Sequence, residues 1–302
     1  MLKSLIVRSS TVLVRSAVAA SVAPLAVLAL VGCSPTDSKS ASPSGSGGAS
    51  TSADACQKAN LKLHTAGTFT VATDNPAYEP WFSDNKPSNG KGYESAVAYA
   101  VAKKLGFDAT QVKWVSASFN SVVTPGRKNF DVDVNQVSIS DERRKAVDFS
   151  TGYYDVAQSV VTYKGSKIAG VTTLAGLKGA KLGAQVGTTS YSTITDTIKP
   201  SQKPAVYDTN DLAVQALKNK QIDGIVADLP TGFYMSGAQL DNGLIVGQIP
   251  AGASPEQFGM VLSKGSELTS CVSGAVDALR ANGTLASLQQ QWLTAGGAPE
   301  LK

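Results

Sequence analysis

The 302-residue chain is 42% hydrophobic and 17% charged, a composition that supports a sizeable core and one or two globular domains. Its formal net charge of +4 falls to +1 once Lys3, Arg8 and Arg15 of an expected leader are set aside, so charge makes no case for nucleic acid as a partner. One histidine and three cysteines leave almost no ligands for zinc and a poorly placed base, His64, for nucleophilic hydrolysis.

Residues 1–32 begin with basic residues and continue as "AVAASVAPLAVLALVG", the pattern of an export signal. The apolar run is short and interrupted by Pro24, which argues against a membrane span. Its end, "LVGC" (Leu30 to Cys33), resembles the lipobox of bacterial lipoproteins, and that resemblance implies cleavage before Cys33 and lipid on its sulfur. The following stretch, "SPTDSKSASPSGSGGASTSAD", holds no apolar residue larger than Ala and cannot repay its ordering entropy, so 33–55 reads as a flexible tether. Lipid followed by a tether places a domain at the outer face of a cell membrane, extracellular or periplasmic. Cys56 and Cys271 remain; in an exported chain they suggest one disulfide from the start of the folded part to a C-terminal helix, with two independent buried thiols as the alternative.

From Leu61 onward strand-like and helix-like segments alternate. "TFTVATD" reads as a strand, and "GYESAVAYAVAKKLG" as a helix with Tyr93, Val97, Val101 and Leu105 on one face, an acid near its start and Lys103, Lys104 and Gly106 at its end. "QVKWVSA" and "FDVDVNQVSIS" are the next strands. Beyond them come "AQSVVTY", "AKLGAQVG", "PAVYD", "IDGIVAD" and "LIVGQIP", separated by the helical "TSYSTITDTI" and "NDLAVQALKNK". Two helices split by "NGT" complete the pattern. Such alternation predicts an α/β fold whose sheet is mostly parallel, with ligands at the carboxyl ends of its strands.

Asp131, Asp133, Asn135 and Glu142 occupy positions 1, 3, 5 and 12 of a calcium-loop pattern, but Gln136 stands where that loop needs glycine and strand alternation precedes it. The stronger candidates lie at strand ends. "QVGTTSYS" ends a strand at Gly187 and opens a helix among Thr188, Thr189 and Ser190, a cradle for a carboxylate or phosphate. Arg143 in "DERRK" supplies a fork for a carboxylate. Asp228 ends an apolar strand before Pro230, where it accepts from an ammonium or caps the helix. Tyr78, Trp81 and Phe119 wall an apolar slot or belong to the core.

Four segments, "GYESAVAYAVAKKLG", "SISDERRKAVDFSTGYY", "AQVGTTSY" and "IDGIVADLP", resemble in order the bacterial extracellular solute-binding proteins of family 3, the polar amino-acid-binding proteins of ABC importers such as the glutamine- and histidine-binding members. The resemblance covers roughly Leu61 to Leu293. It implies the periplasmic-binding-protein type II fold, two α/β lobes joined by a two-strand hinge with the ligand cleft between them. Lobe 1 would be 60–154 and 259–302, lobe 2 159–253, and the hinge 155–158 and 254–258.

The resemblance also implies roles. Arg143 would hold the α-carboxylate of a free amino acid with Ser138 and Thr188 or Thr189. Asp228 would take the ammonium with the Asn135 carbonyl, Tyr78 and Phe119 would sandwich the aliphatic part, and Asp74, Gln136 and Gln185 would lie near the side chain. Gln136 departs from the small glycine common at that place, and "NPA" (Asn75 to Ala77) lengthens the loop before Tyr78. The implied partners are the amino acid and ABC permease subunits, with no cofactor and a monomeric state. Cyclohexadienyl dehydratase, an enzyme of similar fold, is the alternative, and a sensor module feeding a receptor is a third reading.

Overall fold

The computed structural model describes residues 52–252, 255–293 and 297–302. The expected leader 1–32, Cys33 and the tether as far as residue 51 lie outside the described residues. The last residues of that expected tether, Ser52–Ala55, form a helical turn, α1, so its flexible composition gives way to structure just before Cys56.

The strands in chain order are β1 (Phe69–Thr73), β2 (Val112–Ser116), β3 (Val132–Asp133), β4 (Val147–Val156), β5 (Gln158–Tyr163), β6 (Leu182–Gln185), β7 (Ala205–Tyr207), β8 (Gly224–Asp228), β9 (Gly243–Gln248) and β10 (Glu256–Ser263). The helices after α1 are α2 (Tyr93–Lys104), α3 (Phe119–Val123), α4 (Arg143–Ala146), α5 (Thr189–Ser192), α6 (Asn210–Lys218), α7 (Leu229–Tyr234), α8 (Thr269–Ala281) and α9 (Thr284–Trp292). The helix expected at "TSYSTITDTI" starts as α5 and continues as a π-helical turn over Thr193–Ile198.

The strands form two five-stranded sheets, ordered β2-β1-β3-β10-β4 and β7-β6-β8-β5-β9. Each is parallel on one side and antiparallel on the other, which corrects the expectation of a mostly parallel sheet. Helical crossovers give the parallel half. β4 and β5 join the sheets across the single residue Ala157, and each runs antiparallel to its neighbours; β10 re-enters the first sheet beside β4, pairing Glu256 with Val156.

The expected strand "FDVDVNQVSIS" is extended but pairs as β3 only at Val132–Asp133. Gln136 at φ +50° turns the chain out of register, after which Gly259 N–H bonds to Val137 O at 3.1 Å and Ile139 N–H to Gln257 O at 2.8 Å. The calcium-like spacing is dispersed: Asp131 accepts from the backbone N–H groups of His64 and Thr70 at 2.6 Å each, Asp133 is fully buried and Glu142 is exposed.

Helices cover both faces of each sheet. In the first, Tyr93, Val97, Val101 and Leu105 are buried against Val71, Val132 and Phe258, while Ala72, Phe119, Val122 and Phe149 make the opposite core. Gly92 lets α2 begin in close contact with the preceding loop, because a Cβ there would meet Trp81 O at 2.4 Å. The Cys56–Cys271 disulfide is formed, with Cα atoms 5.2 Å apart, and ties the segment after α1 to α8.

The end of the chain departs from the expected extent of lobe 1. Near the edge of the second sheet Gln248 N–H bonds to Pro299 O and Leu301 N–H to Gln248 O, Lys302 N–H bonds to Thr172 O, and Leu301 is buried in that sheet's core. Leu301, the penultimate residue, finds its burial there rather than on the first sheet.

Candidate functional site

The two sheets face each other with the loops at their strand ends between them. Asp74 follows β1, the turn after β3 carries Asn135, Gln136 and Ser138, β6 ends at Gln185 and β8 at Asp228. These residues, with Tyr78, Phe119, Arg143, Thr188 and Thr189, border one cavity of about 50 Å³. All eleven residues named from the sequence therefore converge. Ser190, Asn210 and Thr231 complete the lining. Trp81 does not reach it: fully buried, it packs edge-on against Tyr93, Tyr154 and Phe258.

Arg143 opens α4, where its own N–H bonds to Ser140 Oγ at 3.2 Å. Its guanidinium spans the gap, donating to Ser138 O at 2.6 Å on one side and to Gly187 O at 2.9 Å on the other, and lies 5.4 Å from the centre of the Phe119 ring. Burial lowers its pKa against the opposing pull of Glu256 and Asp228, yet a guanidinium stays charged at any ordinary pH. The adjacent Arg144 is exposed beside Phe149 and takes no part in the lining.

Across from Arg143, Asp228 is pushed up to about 8 by burial and then by the nearby negative charge of Glu256, against the stabilising pull of Gln158 and Arg143. Gln158, at the start of β5, donates Nε2–H to Asp228 Oδ1 at 2.7 Å and to Glu256 Oε2 at 3.2 Å, and its own oxygen accepts from Ser190 Oγ at 2.7 Å. Glu256 also accepts from Thr189 Oγ1. One amide at the start of β5 thus orients two carboxylates. Sequence reading missed Gln158 and Glu256; their only signal is polarity beside the crossovers, which many surface residues share.

Thr188 caps α5, accepting from Tyr191 N–H at 3.2 Å while donating to Gln185 O at 2.7 Å. Ser138 Oγ and Thr189 Oγ1 lie 3.3 Å apart across the cavity. Two more bonds link the sheets at its rim: Tyr78 donates to Asp211 Oδ2 at 3.0 Å, and Trp81 Nε1–H to Thr231 Oγ1 at 3.0 Å. Burial and Asp211 hold the Tyr78 phenol above its usual range. Among the described residues no group of His, Cys, Asp and Glu is arranged to hold a metal ion.

Comparison with known proteins accords with this arrangement. A profile of the bacterial extracellular solute-binding proteins, family 3, matches residues 69–295. The chain belongs to that family. It is 30% identical over 239 residues to the L-cystine-binding protein TcyJ of Escherichia coli (strain K12), covering 78% of this chain and 85% of that one. It is 27% identical over 247 residues to the arginine-binding extracellular protein ArtP of Bacillus subtilis (strain 168), covering 80% and 92%. Among solved structures, an ancestral arginine-binding protein bound to arginine superposes with a TM-score of 0.63 at 29% identity, over 76% of this chain and 99% of that chain. The ancestral amino acid-binding protein AncCDT-1, described as a precursor of cyclohexadienyl dehydratase, gives 0.61 at 27%, over 76% and 96%. The fold of this family 3 protein is thus the type II arrangement of two α/β lobes.

Proposed function

We propose that this protein captures a free L-amino acid, polar in character, in the cavity between its sheets and delivers it to an ABC importer. The carrying observation is the opposition of Arg143 and Asp228 across one small cavity bordered from both sheets. The guanidinium presents a fork for the α-carboxylate, joined by the Ser138, Thr188 and Thr189 hydroxyls. Asp228 and the Asn135 carbonyl take the ammonium. Tyr78 and Phe119 flank the aliphatic part, and Asp74, Gln136 and Gln185 meet the side chain.

In this reading lobe 1 comprises the first sheet and its helices, lobe 2 the second sheet, and the hinge runs through 155–158 and 254–258. A ligand held from both lobes binds the closed state better than the open one, so it shifts the population toward closure, which the permease subunits read. Binding without turnover fits the binding proteins among its relatives and the position of His64, which borders a different part of the surface. We read the protein as a monomer, and the lipobox-like "LVGC" supports its anchoring by lipid on Cys33 at the outer face of the membrane.

Calorimetric titration with the common L-amino acids, after unfolding and refolding to strip endogenous ligand, is expected to give saturable heat that Arg143→Ala abolishes. No heat with any amino acid, or product formation from prephenate or arogenate, overturns the proposal.

A further inference from the structure

Glu94 is the second residue of α2, where a carboxylate usually faces water and complements the helix dipole. Here it is fully buried. Its carboxylate accepts from Gln136 N–H at 2.7 Å, from Gln136 Nε2–H and from the Tyr153 hydroxyl. Burial pushes it up to about 7, against the pull of all three donors. Gln136 is held at φ +50°, a conformation that a residue with a Cβ rarely adopts unless its surroundings enforce it, and its side chain borders the cavity.

We propose that Glu94 is a specificity-determining positioning residue: by binding both N–H groups of Gln136 it turns that carboxamide's oxygen toward the cleft, which selects an amino acid whose side chain ends in a cationic hydrogen-bond donor. This rests on the proposed amino-acid site and names the class of ligand it takes. The orientation follows from the bond itself: Gln136 Nε2–H donates to Glu94, which leaves the carboxamide oxygen on the side away from Glu94.

The charges around the cavity point the same way. Arg143 is matched by the ligand's carboxylate and Asp228 by its ammonium. Asp74 remains, its oxygens each accepting one backbone N–H, from Asn75 at 2.7 Å and Phe119 at 3.2 Å, with lone pairs to spare. The nearby Asp133 is fully buried, its carboxyl oxygens have no hydrogen-bond partner among the described residues, and burial first, then Glu94 and Asp74, raise its pKa well above the ordinary carboxylate range. Lys128, whose charge acts on Asp133, spends its ammonium on Ser121 O and Thr124 O at 2.7 Å each and is absent from the lining. Gln185 and Asn210 can donate or accept and so favour neither sign. Among the described residues Arg143 is the only Lys or Arg in the lining, so a cationic ligand side chain would give Asp74 a partner charge that the lining does not otherwise offer it.

The test compares L-arginine, L-lysine, L-leucine and L-glutamate by calorimetry on the full folded protein, Glu94→Gln and Gln136→Ala. The unaltered protein is expected to bind arginine or lysine about a hundredfold tighter than glutamate. In Glu94→Gln, where the new amide can face either end of Gln136, that ratio should fall by about tenfold or more with thermal stability retained. A purely structural role would weaken every ligand alike and leave the ratio standing, which overturns the proposal. Should Glu94→Gln fail to fold, Gln136→Ala carries the test, with the same fall expected and an unchanged ratio equally decisive against it. Arg143-dependent binding that favours glutamate or leucine overturns the Glu94 assignment alone, whereas absence of binding to all four and to every other amino acid overturns the site reading beneath it.

Discussion

In the proposed site Asp228 would couple ligand capture to pH in a calculable way. Its carboxyl is raised from 3.8 to about 8 in the ligand-free protein, by burial first and Glu256 second. An incoming ammonium requires the ionised form, so binding must expel a proton wherever the free protein holds one. At pH 7 a group titrating near 8 is about nine-tenths protonated, and each unit below 8 weakens binding by about 1.4 kcal/mol. Affinity at pH 6 should therefore be about 50-fold lower than at pH 8. The sign for folding is the reverse: the folded protein binds a proton that the unfolded chain releases between about pH 4 and 8, so ligand-free stability falls as pH rises through that window while the ligand-induced rise in Tm grows. Calorimetry in two buffers of different ionisation enthalpy reads the released proton directly. Glu256→Gln, which removes the negative neighbour, should flatten the profile. Affinity that stays constant from pH 6 to 8 with no proton release would refute the reasoning.

Arg143→Ala should weaken ligand binding by about a hundredfold or more, since two charge-assisted bonds at roughly 1.5–3 kcal/mol each are lost, while Arg144→Ala changes it less than about threefold; equilibrium titration separates them. Tyr78→Phe removes the rim bond to Asp211 without touching the ring, and should lower affinity by about two- to tenfold, chiefly through faster release in stopped-flow. Cys56→Ser should cost about 2–4 kcal/mol of stability, read from denaturant midpoints, with ligand affinity little changed because the bridge lies far from the cavity lining. Cys33→Ala is expected to release the protein from membranes, and membrane association that survives the change refutes the lipid anchor.

The cavity was legible in the sequence because its residues sit where apolar strands stop: Asp74 after β1, Gln185 and Thr188 after β6, Asp228 at the end of β8. Polar residues at such places are visible as breaks in periodicity. What hid were the residues whose meaning depends on distant segments. Glu94 reads locally as a surface acid at a helix start, and only the approach of Gln136 and Tyr153 reveals a buried carboxylate. Glu256 and Gln158 are 98 residues apart and meet because β10 returns beside β4. The antiparallel halves of the sheets escaped for the same reason, since alternation of strand and helix specifies crossovers but not where a lone strand re-enters. Leu301 lacked any pattern of its own.

The Cys56–Cys271 bridge spans a sequence separation of 215, enclosing all ten strands and so both sheets. A single peptide-bond cut by an extracellular protease anywhere inside that loop leaves both fragments covalently joined. For an extracellular or periplasmic protein this is damage tolerance: a nicked molecule migrates as intact on a non-reducing gel, keeps its pieces at high effective concentration and can hold its cavity together until the sulfurs are reduced.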